Sequence, residues 1–112
     1  MKRITDWEEE FRGKTLESIR PHYKGEDFKP YVKLEFAGNF HYEVHAVKGA
    51  FFDGCFINIL RRAKPIDYVN VEKETDSLDI EAWNKDFLLF HMGATFRDPD
   101  QEGHPLELFR MG

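Results

Sequence analysis

The clearest pattern of hydrophobic and polar positions lies between residues 31 and 47, where apolar and polar side chains alternate in two runs. A period of two residues predicts β-strands with one buried face. A three-residue loop, Ala37 to Asn39, keeps the two apolar sides in register, whereas a two-residue turn mixes them. We therefore predict a hairpin with Asn39 left-handed. Its predicted pairs are Phe36 with Phe40, Leu34 with Tyr42, Val32 with Val44, Lys33 with Glu43, and Glu35 with His41.

The N-terminal stretch shows a helical spacing of apolar residues instead. Asp6 is placed to cap a helix, and Glu8 to Glu10 fall in its positive first turn. Pro21 ends the pattern. We predict an N-terminal helix, with two short helices broken at Gly13 as the alternative. The apolar residues of its predicted face are Ile4, Trp7, Phe11, Leu16 and Ile19.

The rest of the chain predicts further strands and one ambiguous segment. Residues 55–62 are apolar on both faces and indicate a central strand, and residues 66–73 indicate another. Residues 98–105 are predicted to form a loop, and residues 106–111 a short closing strand.

Residues 78–92 fit two structures. Ser77 is a suitable helix cap, and Gly93 stands where a helix would stop. The spacing of Ile80, Trp83, Phe87 and Phe90 favours a helix. A buried strand over residues 87–91 is the alternative.

Together these elements predict one α+β domain over residues 1–112. Its N-terminal helix packs on an antiparallel β meander of about four to five strands. A second helix or further strands follow near the C-terminus. Helices on one side of such a sheet leave its other face for water or a partner.

The charge of the chain is concentrated in one segment. The formal net charge is −5, and residues 67–81 alone hold six acids against one base, Lys73. The acids are Asp67, Glu72, Glu74, Asp76, Asp79 and Glu81. A local acidic surface attracts a basic partner and discourages nucleic acid.

Cysteine usage and hydropathy bear on location. Cys55 is the single cysteine, and no Asn-x-Ser/Thr sequon occurs. Both features are typical of a reducing compartment. The N-terminus lacks an apolar signal-peptide core, and the apolar runs are far shorter than a membrane span. We predict a cytoplasmic protein without a membrane partner.

Two groups of residues have chemistry that could form a site. His41, Glu43 and His45 project from one strand face, and such residues ligate zinc or iron. Because these residues are the polar face of an amphipathic strand and their side chains span about 13 Å, we predict no metal there. We also predict no cofactor for the chain. Cys55 is a weak candidate nucleophile, with Asp53 near it in sequence and His41 or His45 as its base.

Two further features concern binding. Arg61, Arg62 and Lys64 form a basic cluster that would suit RNA. Phe51 and Phe52 are adjacent, so in a strand they point to opposite sides. One of them is then an exposed interface anchor, unless both cover an open end of the sheet.

No catalytic motif occurs in the sequence, so a non-enzymatic function is favoured. We predict a small acidic binding protein, of the inhibitor or immunity type, that neutralises a partner such as a basic enzyme. Its predicted contacts are the six acids of residues 67–81 with Phe51 and Phe52. The alternatives are a small-molecule or enzymatic domain with a Cys/His/Asp group in an apolar pocket, and an RNA-contacting domain.

Overall fold

A computed structural model describes residues 1–22, 31–47, 51–74, 76–97 and 106–111, without the side chains of residues 51, 53 and 97. These residues form nine strands and one short helix. The first elements are β1 (Lys2–Ile4), α1 (Trp7–Phe11), β2 (Leu16–His22), β3 (Tyr31–Phe36) and β4 (Phe40–Ala46). The later ones are β5 (Phe51–Ile59), β6 (Tyr68–Lys73), β7 (Ser77–Asn84), β8 (Phe87–Arg97) and β9 (Leu106–Met111).

The strands make two antiparallel sheets whose inner faces share one core. The five-stranded sheet has the order β1-β9-β4-β3-β2, and the four-stranded sheet has the order β5-β8-β7-β6. The predicted α+β fold is therefore wrong, because α1 is the one helix among the described residues and a second sheet replaces the second helix. No helix in the described ranges is long and apolar enough to cross a membrane.

Alternating side chains from both sheets fill the core. The five-stranded sheet contributes Leu34, Phe36 and Val44, and the four-stranded sheet contributes Ile80 and Phe90, all at most 1% exposed. Each fully buried side chain of this size stabilises the fold by about 1.5–3 kcal/mol. Burial of one face from each sheet is the main reason that the two layers stay together.

The predicted hairpin is confirmed in every pair. β3 and β4 pair Phe36 with Phe40 and Val32 with Val44, and the three-residue loop lies between them. Asn39 is left-handed with φ 63°, and Gly38 has φ 85°. The alternation identifies the register because a one-residue slip would expose the apolar side of both strands.

The predicted N-terminal helix is mostly wrong. Asp6 does cap α1, since its Oδ1 accepts a hydrogen bond from the Glu9 N–H at 3.0 Å. The helix is only five residues long, and Gly13 with φ 82° turns the chain into β2. A β-bulge lies between Leu16 and Ser18. The bulge adds one residue to the strand, so Leu16 and Ile19 both face inward although they are three residues apart.

The predicted helix over residues 78–92 is also wrong. These residues form the β7–β8 hairpin, which turns at Lys85 with φ 51°. Leu78 and Ile80 face the core with the strand period of two. The register shifts where β8 has the extra residue Leu89 opposite Ala82 and Trp83, so Leu89 and Phe90 are both buried although they are adjacent. Gly93 lies inside β8 and ends no helix.

Other strand predictions have mixed outcomes. The strands predicted at residues 66–73 and 106–111 are confirmed as β6 and β9. Residues 55–59 of the segment predicted as a central strand belong to β5, whereas residues 60–62 lie beyond it, and β5 is at an edge of its sheet with Phe56 on the solvent side. The predicted loop over residues 98–105 lies outside the described residues.

A polar contact fixes α1 on the five-stranded sheet. Phe11 packs against Phe36 and Tyr42, with ring centroids 5.1 and 5.2 Å away. The Tyr42 hydroxyl donates to Glu10 Oε1 at 2.7 Å, and Arg110 donates to the same oxygen at 3.3 Å. Burial, together with the Glu10 carboxylate, raises the pKa of Tyr42 well above its ordinary value.

We expect Tyr42→Phe to lower the free energy of unfolding at neutral pH by about 1 kcal/mol, because Glu10 loses a hydrogen bond. The difference from wild type should shrink above about pH 10, where the unfolded chain loses the tyrosine proton and the folded chain keeps it. Urea unfolding at several pH values measures both effects. Tyr68→Phe, at a side chain 38% exposed, is the control. If the difference in unfolding free energy between the wild type and Tyr42→Phe stays constant up to alkaline pH, the proposed role of the Tyr42–Glu10 hydrogen bond is wrong.

Candidate functional site on the outer face of the four-stranded sheet

The solvent side of the four-stranded sheet, called here the outer face, brings together residues from β5, β6, β7 and β8. Strand register aligns these residues in two rows that cross all four strands. The first row is Phe56, Gly93, Asp79 and Glu72, and the second is Asn58, His91, Glu81 and Asn70. The rows place an aromatic ring, a histidine and three carboxylates on one surface.

Gly93 makes room at the centre of the first row. A Cβ atom at this position would lie 2.9 Å from Phe56 Cδ1 and 3.0 Å from Asp79 Oδ1. Both contacts are shorter than van der Waals distance, so glycine is what lets Phe56 lie across β8. Next to them is a cleft of about 310 Å³. The residues that line it are Gly54, Cys55, Phe56, Ser77, Asp79, Gly93, Ala94 and Thr95.

Asp79 and His91 form a hydrogen-bonded pair beside this cleft. His91 Nε2 lies 3.0 Å from Asp79 Oδ1, and the Phe56 ring meets the imidazole edge to face with centroids 4.8 Å apart. A carboxylate in this position orients the imidazole and holds a proton on Nε2. The pair thereby fixes the Asp79 carboxylate at the border of the cleft.

The three carboxylates, Glu72, Asp79 and Glu81, form an acidic patch. Glu72 stands directly opposite Asp79, and Glu81 follows two residues along β7 on the same face. Like charges in opposed positions destabilise a sheet. Within the described part of the chain, neither Glu72 nor Glu81 has a basic partner. The patch therefore presents negative charge to solvent.

Aromatic side chains flank the acidic patch. Phe56 is 49% exposed on β5, and Tyr68 is exposed on β6, so they stand on the two edge strands of the sheet. Tyr68 stacks on Trp83 with centroids 6.1 Å apart and planes 3° apart. A ring held by a neighbour loses little conformational entropy on binding, which suits it to anchor a partner.

The six predicted acids do not all share this surface. Glu74 and Asp76 lie in the β6–β7 turn, where the Asp76 carbonyl accepts from the Phe96 N–H. Asp67 lies at the other end of the hairpin, and its Oδ2 accepts from the Lys85 N–H at 2.8 Å. The structure therefore gathers Glu72, Asp79 and Glu81, and gives Asp67 a contact that supports the turn.

The cysteine group is not assembled. Cys55 packs against the core from β5, and burial raises the pKa of its thiol. His41 and His45 lie on the solvent side of the other sheet. The Asp53 side chain falls outside the described residues. A thiol with a raised pKa is a poor nucleophile, and neither predicted base is on its sheet.

The predicted histidine group belongs to the solvent side of the five-stranded sheet. His45 Nε2 lies 2.7 Å from Glu43 Oε1, and its ring stacks on Tyr31 at 4.8 Å. Tyr31 in turn stacks on His22 at 4.9 Å. No group of three or more His, Cys, Asp or Glu side chains in the described ranges is placed to hold a metal ion.

The two predicted binding features are separated in the structure. Phe52 is partly buried and packs against the core, whereas the Phe51 side chain lies outside the described residues. Arg61 and Lys64 both lie over the ring of Phe87, with distances of 4.4 and 5.3 Å to its centroid. Arg62 is exposed beside them. Two of the three cations thus have an internal contact.

Sequence reasoning missed Phe56, His91, Gly93 and Tyr68 as members of a site. The alternation of His91, Gly93 and Thr95 between buried apolar residues was a signal for β8. That signal depends on treating residues 87–97 as a strand. With a helix assigned there, no register exists to bring His91 beside Asp79.

The chain significantly matches no protein-family model, no curated protein and no solved structure. Its function is therefore proposed from the residues that the fold brings together on the outer face.

We expect Gly93→Ala to lower the free energy of unfolding by about 1–3 kcal/mol, because the added methyl group overlaps Phe56 and Asp79. The double variant Phe56→Ala/Gly93→Ala should recover part of this loss, giving a coupling energy of at least about 0.5 kcal/mol. Chemical denaturation measures all four proteins of the cycle. Gly54→Ala is the control, because its Cβ would meet only Thr95 Oγ1, at 3.2 Å. Additive effects would contradict the packing of Phe56 on Gly93.

We expect Cys55 to react slowly with a thiol reagent in the folded protein, because burial raises its pKa and limits access. The rate at pH 8 should be at least about tenfold lower than in denaturant. A colorimetric thiol assay measures both rates. Equal rates would show that the thiol is open and reactive in the folded chain.

Proposed function

We propose that this protein binds a basic partner protein through the outer face of the four-stranded sheet. One observation carries the proposal: Glu72, Asp79 and Glu81 lie side by side, with exposed Phe56 and Tyr68 on either edge. Carboxylates steer a basic surface into contact, and desolvated aromatic rings supply most of the affinity.

The cost of the acidic patch in the free protein supports this role. Glu72 and Asp79 face each other across β6 and β7, and such a like-charge pair weakens the isolated sheet. A basic partner replaces that repulsion with attraction. The same three charges therefore contribute more to a complex than to the folded monomer.

The partner class follows from this chemistry. Enzymes that act on nucleic acids carry basic surfaces, and a rigid sheet with carboxylates covers such a surface by standing in for phosphates. The protein then acts as an inhibitor of the immunity type rather than as an enzyme. A cytoplasmic location belongs to the same proposal and rests on the single, half-buried Cys55.

The test is charge reversal with a matched control. Glu72→Lys/Glu81→Lys should reduce binding of the partner at least about tenfold, which corresponds to 1.4 kcal/mol. Glu17→Lys/Glu35→Lys changes the net charge equally on the five-stranded sheet and should leave binding unchanged. Partners captured by the wild type from the native cytoplasm are quantified with both variants. Affinity and its salt dependence are then measured with the purified partner.

Folding does not confound this test. Replacing Glu72 removes its repulsion with Asp79. The free energy of unfolding of Glu72→Lys/Glu81→Lys should therefore exceed that of the wild type by about 0.2–1 kcal/mol. Retention of the same partner by Glu72→Lys/Glu81→Lys contradicts the proposal. Equal loss with both double variants also contradicts it, because net charge alone would then explain binding.

A further inference from the structure

Three exposed phenylalanines differ in what covers them. Phe40 has Lys14 over its ring at 4.7 Å, and Phe87 has Arg61 at 4.4 Å. Phe56 is the most exposed of the three, yet no cation among the described side chains lies over it. A cation over an aromatic face is attracted by the ring quadrupole. Two of these rings therefore have a cation over them, whereas the Phe56 ring has none from the described residues and meets the His91 imidazole edge to face.

The cleft beside Phe56 has the chemistry of a site for one cationic side chain. Gly54 and Gly93 are among its lining residues, its border carries the Asp79 carboxylate, and the space directly over Gly93 is filled by Phe56 and Asp79. Oδ1 of Asp79 is held by His91, and the described residues supply no hydrogen-bond donor to Oδ2. A volume of about 310 Å³ is at the lower limit of ligand sites, which suits a single side chain.

We infer that this cleft receives an arginine side chain of the partner. The guanidinium would stack on the exposed part of the Phe56 ring and donate to the Asp79 carboxylate. Arginine fits better than lysine because its planar group both stacks on a ring and donates in a fixed fork. The nearby carboxylates of Glu72 and Glu81 add to the attraction. This inference rests on the proposed function and names the chemistry of its central contact.

A blocked arginine, N-acetyl-arginine amide, tests the cleft without the partner. In an amide-resolved NMR titration, it should give saturable shifts at Gly54, Gly93 and Thr95, with a dissociation constant of roughly 1–10 mM. The citrulline analogue has nearly the same shape without the charge and should bind at least about tenfold more weakly. The lysine analogue should also bind more weakly than arginine.

Variants locate the two contacts. Phe56→Leu and Asp79→Asn should each weaken arginine binding at least about fivefold, because one removes the ring face and the other the charge. Phe87→Leu and Asp76→Asn are the matched controls and should leave it unchanged. Melting temperatures of all four variants confirm that each protein is folded during the titration.

Each outcome separates the cleft from the wider proposal. Equal binding of arginine and citrulline, or no saturable shift at the three amides, overturns the arginine site. If capture of the partner still depends on Glu72 and Glu81, the protein interface stands without it. If arginine binds as expected but capture of the partner is unchanged by Glu72→Lys/Glu81→Lys, the cleft is a cation site and the interface proposal is wrong.

Discussion

Mutual burial of two sheet faces is the interaction on which this structure depends. Each sheet has one apolar side, and neither side is stable in water unless the other covers it. The helix α1 adds Phe11 to this core, where it meets Phe36 and Tyr42, while Glu10 ties the helix to Tyr42. Because the inner faces are committed to each other, the outer faces are the surfaces left for function.

The two outer faces differ in how their charges are satisfied. On the five-stranded sheet, Lys33 lies 3.3 Å from Glu35, and His45 lies 2.7 Å from Glu43. Such exposed pairs add little stability, but they leave the surface locally balanced. On the four-stranded sheet, Asp79 has His91, whereas Glu72 and Glu81 have no basic partner in the described part of the chain. The outer face of the four-stranded sheet is therefore distinguished by carboxylates without basic partners among the described residues, and not by the presence of acidic residues alone.

Prediction from the sequence succeeded where strands are regular and failed at the bulges. The β3–β4 register followed from uninterrupted alternation and one left-handed Asn39. In β2, the extra residue between Leu16 and Ser18 breaks the alternation and produces a spacing that resembles a helix. In β8, the extra residue Leu89 breaks the alternation again. The acidic segment was located from composition, but its assembly was not, because the register of β8 decides that His91 faces Asp79.

Three features of the outer face reduce the stability of the free chain. Gly93 sits inside a strand, where glycine costs backbone entropy, and Phe56 leaves about half of its apolar surface in water. Glu72 opposes Asp79 in the same row. The packing of Phe56 on Gly93 explains why those two residues share a row, but it does not explain why Glu72 opposes Asp79 there. Proteins often carry such unfavourable features at functional sites. Under the proposed function, a partner that supplies a cation would cover the Phe56 ring and offset the repulsion between Glu72 and Asp79.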